Sequence, residues 1–138
     1  RKEKETVPIL INFLKSWNSA KRRDAIWALG VIGDERAVKP LMDIVKKGEK
    51  HPNFLDALSA LSRMKYEGAF PYVVKIAQEP YPKCVVMISE LREFAKPECV
   101  PLLLKIRNKI DENAPLRRFD RNRIDDAIEY IESLQKSQ

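Results

Sequence analysis

An all-α superhelix of stacked helical hairpins is the fold class this sequence predicts, and three observations predict it. A nine-residue pattern recurs four times, as TVPILINFL from Thr6, AVKPLMDIV from Ala37, AFPYVVKIA from Ala69 and CVPLLLKIR from Cys99. Its second place always holds a bulky apolar residue, Val7, Val38, Phe70 or Val100, at intervals of 31, 32 and 30 residues. Ahead of the last three copies, Leu29, Leu61 and Leu91 stand nine residues upstream, Ile26, Leu58 and Ile88 twelve, and Ile32, Met64 and Phe94 six. Spacings of three in register make a second amphipathic helix per unit, and a period near 30 residues describes a unit that buries its apolar face only against a neighbour.

The elements follow in order. Residues 5–17 form a half repeat, with Val7, Leu10, Ile11, Phe13 and Leu14 on one stripe at 100° per residue and Asn12, Lys15 and Ser16 opposite. Pro8 belongs in its first turn, where a missing N–H has no intrahelical acceptor to lose. Three full hairpins follow at about 19–49, 51–79 and 81–112. Gly33 supplies a left-handed C-cap and Asp34 a turn acceptor inside the first hairpin, and Gly48 ends its second helix. A lone helix near 120–135 closes the chain, with Ile128, Ile131 and Leu134 in the places of Ile26, Leu29 and Ile32. The whole of 1–138 thus reads as a single repeat domain with a half repeat at each end. Either those ends are caps or the array continues beyond them.

Residues 22–45, RRDAIWALGVIGDERAVKPLMDIV, resemble the HEAT-like repeat first described in phycobilin lyases, with Ala-Leu-Gly, Ile-Gly-Asp and Arg-Ala-Val in sequence. The other hairpins depart from it, because Ser62 and Lys65, then Arg92 and Ala95, stand where the first hairpin has Gly30 and Gly33. The core positions extend the resemblance over roughly residues 5–107. It implies a right-handed solenoid whose second helices line a concave surface. It also implies one activity class that no residue here carries by itself, a subunit or chaperone of a pigment-attaching lyase.

Charge and composition set the remaining bounds. The 138 residues carry a net charge of +6, with 33% charged side chains. No apolar run approaches the roughly 20 residues a membrane-spanning helix needs. The N-terminal RKEKE has no signal-like character, so a cytoplasmic protein with no membrane partner is expected. The missing initiator Met predicts a processed chain or a piece of a longer one. Most of the positive excess lies in residues 1–50, with 12 basic and 7 acidic side chains, which permits an acidic protein segment or nucleic acid as partner.

Candidate binding residues fall into three groups. The outward row of the second helices holds Lys15, Lys46, Lys47, Lys75, Lys105 and Lys109 against Asp43 and Glu79, with Tyr72 at its border. It is either a site for an acidic segment or a phosphate backbone, or an ordinary solvated face. Arg117, Arg118, Phe119, Arg121 and Arg123 lie where the repeat period is interrupted. They could grip phosphate and stack a base; alternatively Phe119 folds back as a cap while the arginines pair with Asp120, Asp125 and Asp126. Trp27, with Val31 beside it, is an anchor for a partner or packs on the next hairpin.

Catalysis finds little support. The single histidine, His51, precedes Pro52 at a helix start and excludes a multi-histidine metal site. Cys84 and Cys99 fall at opposite ends of one hairpin, too far apart for a disulfide, and are expected as buried thiols. Asp34, Glu35, Asp125 and Asp126 suit capping better than acid–base work. Phosphate-cradling glycine loops are absent, so neither enzyme activity nor a cofactor or metal is expected. The sequence therefore predicts a protein-interaction scaffold, with sequence-independent nucleic-acid binding as the alternative.

Overall fold

The computed structural model describes residues 2–137, and of Lys2 the backbone alone. Among the described residues, regular structure consists of α-helices and short 3-10 turns, and no strand occurs. The chain divides into two compact units, Arg1–Ala69 and Phe70–Gln138.

The first unit contains α1 (Lys2–Phe13), α2 (Ser19–Ile32), α3 (Val38–Lys46) and α4 (Phe54–Arg63). Asn18 starts α2 by accepting the N–H groups of Ala20 at 2.9 Å and Lys21 at 3.3 Å. Gly33 ends it in the left-handed region, φ 72°, with its N–H returned to the Leu29 carbonyl. Asp34 then accepts the Arg36 N–H at 2.9 Å and opens the 3-10 turn Glu35–Ala37 that leads into α3. α2 packs on α1 and α4, and α3 packs on α4. The core of the unit is built from Val7, Ile26, Leu29, Leu41, Leu58 and Leu61, all fully buried.

Two polar joints hold these helices in register. Arg22 donates Nε to Asn53 Oδ1 at 2.7 Å and Nη1 to the Ser16 carbonyl at 2.6 Å. Asn53, itself buried, donates Nδ2 to the Ser19 carbonyl and to Asp56. The segment before α4 is thereby tied to the segment before α2 with the buried amide satisfied.

The first helix differs from the sequence expectation at both ends. It begins at Lys2, so Pro8 lies inside it and not in its first turn. Glu3 and Glu5 favour the early start by facing the positive end of the helix dipole. At the other end, Leu14, Lys15 and Ser16 each donate to the carbonyl three residues back, which tightens the chain out of the α-helix after Phe13.

The second unit contains α5 (Phe70–Ala77), α6 (Ile88–Phe94), α7 (Cys99–Asn113) and α8 (Arg118–Lys136). Pro80 and Pro82 remove two donors ahead of α6, and residues Lys83–Met87 form a 3-10 turn in place of regular helix. α8 packs on both α6 and α7. Its buried face is Ile124, Ala127 and Ile131. Of the three residues expected there, Ile131 is buried while Ile128 and Leu134 are half-buried. The helix starts at Arg118, and the nearly buried Asp120, paired by Arg117 and Arg123, turns its first two turns toward the unit.

Where the first hairpin has Gly33, the later ones have Lys65 and Ala95, yet both adopt the same left-handed conformation, with φ of 56° and 55°. The turn survives the loss of its glycine because the helix C-terminal carbonyls still need the returning N–H groups, Tyr66 to Leu61 and Ala95 to Leu91.

Candidate functional site

Within the first unit, α1 and α3 border a groove of about 340 Å³. Ile11, Leu14 and Ile44 give it apolar walls, and Lys15, Lys39 and Lys47 carry its charge. One acid is present, Asp43, and Lys39 holds it at 3.5 Å. Lys15 and Lys47, from separate segments of the sequence, thus come together at one site, and Lys39 joins them. Lys46 is exposed on α3 but does not line the groove.

Trp27 is 61% exposed on α2, with the Arg63 guanidinium of α4 at 5.9 Å from its ring centre. Arg23, Asp56 and Ser59 complete a small pocket around it of about 150 Å³. Reading residues 5–17 as one helix concealed a more exposed aromatic. Trp17, 93% exposed, lies in the turn after α1, flanked by the polar Ser16 and Asn18.

In the second unit, Lys75 on α5 and Lys105 on α7 are exposed, and Tyr72 is half-buried. Lys109 does not extend into solvent. Its Nζ donates to the carbonyls of Gln78 at 3.3 Å and Glu79 at 3.0 Å, which closes the C-terminal end of α5.

The arginine-rich stretch is helical from Arg118 onward, and only Arg117 stays outside as the N-cap residue. Most of its charge is spent within the unit. Arg117 lies 3.1 Å from Asp120, Arg121 3.0 Å from Asp111, and Arg123 3.4 Å from Asp120. Asp125 pairs instead with Arg107 at 2.8 Å. Phe119 does not fold back: it is 73% exposed, next to Leu116 at 90%. Arg118 is exposed and forms none of these ion pairs.

Titratable groups elsewhere have structural work. The Arg36 side chain and then the Arg36 backbone N–H hold the Asp34 carboxyl down at about 2. Burial, followed by the charges of Lys47 and Arg22, lowers His51, whose Nδ1 accepts the Asn53 N–H at 3.0 Å. Cys84 and Cys99 are buried and not joined in a disulfide, and burial pushes the Cys84 thiol up. Among the described residues, no group of three or more His, Cys, Asp or Glu is placed to hold a metal ion. No described helix is long and apolar enough to cross a membrane.

Comparison with known families bears on the first unit, since residues 1–52 match the family model described as HEAT repeats. HEAT repeats occupy this segment. The matched range takes in α1, α2 and α3. It therefore contains the whole groove lined by Ile11, Leu14, Ile44 and the three lysines. HEAT repeats generally mediate protein–protein interaction or scaffolding. No curated protein and no solved structure matches the chain.

Proposed function

We propose that this chain is a non-catalytic protein-interaction module whose HEAT segment receives an acidic, partly apolar stretch of another protein. The observation that carries this reading is the groove between α1 and α3, apolar on its walls and bordered by Lys15, Lys39 and Lys47 against a single aspartate. Apolar side chains of the partner lose water against Ile11, Leu14 and Ile44. Its carboxylates meet the lysines, which set orientation and association rate more than affinity. The ion pairs of Arg117 with Asp120 and of Arg121 with Asp111 break up the other basic stretch as a continuous track for a phosphate backbone, which favours a protein partner over nucleic acid.

The test uses the full chain and two labelled peptides, one alternating Leu with Glu and the other Leu with Lys, followed by fluorescence anisotropy. Binding of the Leu-Glu peptide alone, weakened about tenfold or more in a Lys15→Glu/Lys47→Glu variant, is the expected result. Equal binding of both peptides, or binding indifferent to the double substitution, would refute the proposal. A salt series adds a control, because the apolar share of the affinity persists while the lysine share is screened.

A further inference from the structure

A second site of different chemistry lies in the unit Phe70–Gln138, on α6 and α8. Arg92 extends from α6 over the ring of Tyr130 on α8, its guanidinium carbon 4.2 Å from the ring centre. Arg107, Arg117, Arg121, Arg123 and Lys83 form ion pairs in this unit, and among the described residues Arg92 has none. Stacking occupies the flat face of a guanidinium and leaves its N–H edge available, already oriented. Arg123 approaches from α8 and donates Nη2 to Ser89 Oγ at 2.6 Å. Asp120 steadies its Nη1 from 3.4 Å. Ser89 accepts that bond and keeps its own hydroxyl proton to give.

Ser89, Arg92 and Arg123 line one pocket, with Ile88 and Asp126 as the other walls. Its volume is about 150 Å³. Three donors of two kinds, carried by two helices, line it. A flat carboxylate is best matched by one guanidinium in a bidentate fork, whereas a tetrahedral anion can accept from several directions at once. Asp126 opposes any anion here and Asp120 offsets Arg123, so Arg92 supplies the charge while Arg123 and Ser89 supply oriented donors.

We propose that Ser89, Arg92 and Arg123 form a binding site for a phosphate monoester. The site is separate from the lysine-bordered groove, and its fate does not depend on that reading. Its phosphate is borne either by a phosphorylated side chain of a protein or by a free phosphate species, and the same chemistry recognises both.

The experiment is a titration of the full chain, labelled with ¹⁵N, with inorganic phosphate, with a short phosphoserine peptide in glycine flanks, and with acetate. Arginine side-chain Nε–Hε signals and the Ser89 amide report the site. Phosphate and the phosphopeptide should shift Arg92, Arg123 and Ser89, and acetate should not. A peptide bound about tenfold or more tighter than inorganic phosphate assigns the site to a phosphorylated side chain, and equal affinities assign it to free phosphate. Arg92→Ala should weaken binding by about tenfold or more, and Asp126→Asn should strengthen it. Arg123→Ala also strips Asp120 of a partner, so the exposed Arg92 and Asp126 carry the test. Shifts equal in acetate, no shift at the two arginines, or an Arg92→Ala variant that binds as well as the parent would overturn the proposal.

Discussion

Arg36 donates Nη2 to the carbonyl of Lys4 at 2.7 Å, the acceptor four residues before Pro8 to which a proline has no N–H to give. A proline inside a helix ordinarily leaves that carbonyl without its intrahelical partner. Here a side chain from the turn before α3 replaces the missing donor, and Asp34 fixes that side chain through Oδ1 at 3.1 Å and Oδ2 at 2.9 Å. Removing Arg36 should therefore loosen the start of α1. The Arg36→Ala variant is expected to melt at a lower temperature than the parent, and the same substitution in a Pro8→Ala background should lower it less. A double-mutant cycle by thermal unfolding measures the difference, and strict additivity would disprove the link.

Acid should act on the same unit in two steps. His51 is lowered from its usual value, so the stability it contributes is present above that value and lost as pH falls through the folded one. Asp34 is depressed from 3.8 to about 2, so its contribution is present above 3.8 and lost as pH falls toward 2. Denaturant midpoints measured from pH 7 to pH 2 should fall in both windows. Asp34→Asn should remove the lower one and leave the upper one in place.

The two left-handed residues that are not glycine give a test with the opposite sign. Lys65→Gly and Ala95→Gly should each stabilise by about 0.5–1 kcal/mol, the relief of the left-handed backbone less the added freedom of the unfolded chain. Gly33→Ala should cost about 1 kcal/mol at the equivalent turn. Urea unfolding of the three variants checks the set, and a loss of stability in both glycine variants would contradict the turn geometry.

Gly30 of α2 packs directly on Ala60 of α4. A Cβ there would lie 2.9 Å from both the Cα and the Cβ of Ala60. Because the Ala60 backbone cannot turn aside, Gly30→Ala should force the helices apart at a cost of about 1–3 kcal/mol. Chemical denaturation reads this directly, and Ala60→Gly in the same chain should recover part of the loss.

Lys109 predicts a smaller effect. Its two bonds to the last carbonyls beyond α5 should make Lys109→Ala cost about 0.5–1.5 kcal/mol, while Lys105→Ala, exposed and without such bonds, should be nearly neutral. Comparable values for the two would show that Lys109 closes nothing.

How far the sequence reached differs from element to element. Leu29, Leu61 and Leu91 recur at fixed places in the repeat and are all fully buried. Asp34 and Gly33 stand in the turn their chemistry suits. The candidate surface was legible only in fragments: Lys15 and Lys47 could be chosen as outward lysines, but not as neighbours, and Lys39 was not chosen at all. The arginines read either as phosphate grips or as partners of Asp120, Asp125 and Asp126; Asp120 does pair with Arg117 and Arg123, but Arg121 takes Asp111, ten residues before it and in a different helix, and Asp125 takes Arg107. Trp17 and the Arg92–Tyr130 stack had no periodic signal to find them by.

What the sequence determined by itself is whatever acts over one or two helical turns: the apolar stripes, the hairpin period, the glycine and aspartate of the first turn. These are local because a helix satisfies its own backbone bonds and its faces follow from spacing alone. What tertiary structure decided is where donors and acceptors distant in the chain meet. Arg36 lets a proline sit inside α1, and the carbonyls beyond α5 claim Lys109. Lys65 and Ala95 are held left-handed against their own preference. Each outcome depends on which group the fold brings within about 3 Å of another, and hydrogen bonds and ion pairs weaken too steeply with distance and angle for spacing in the sequence to report them.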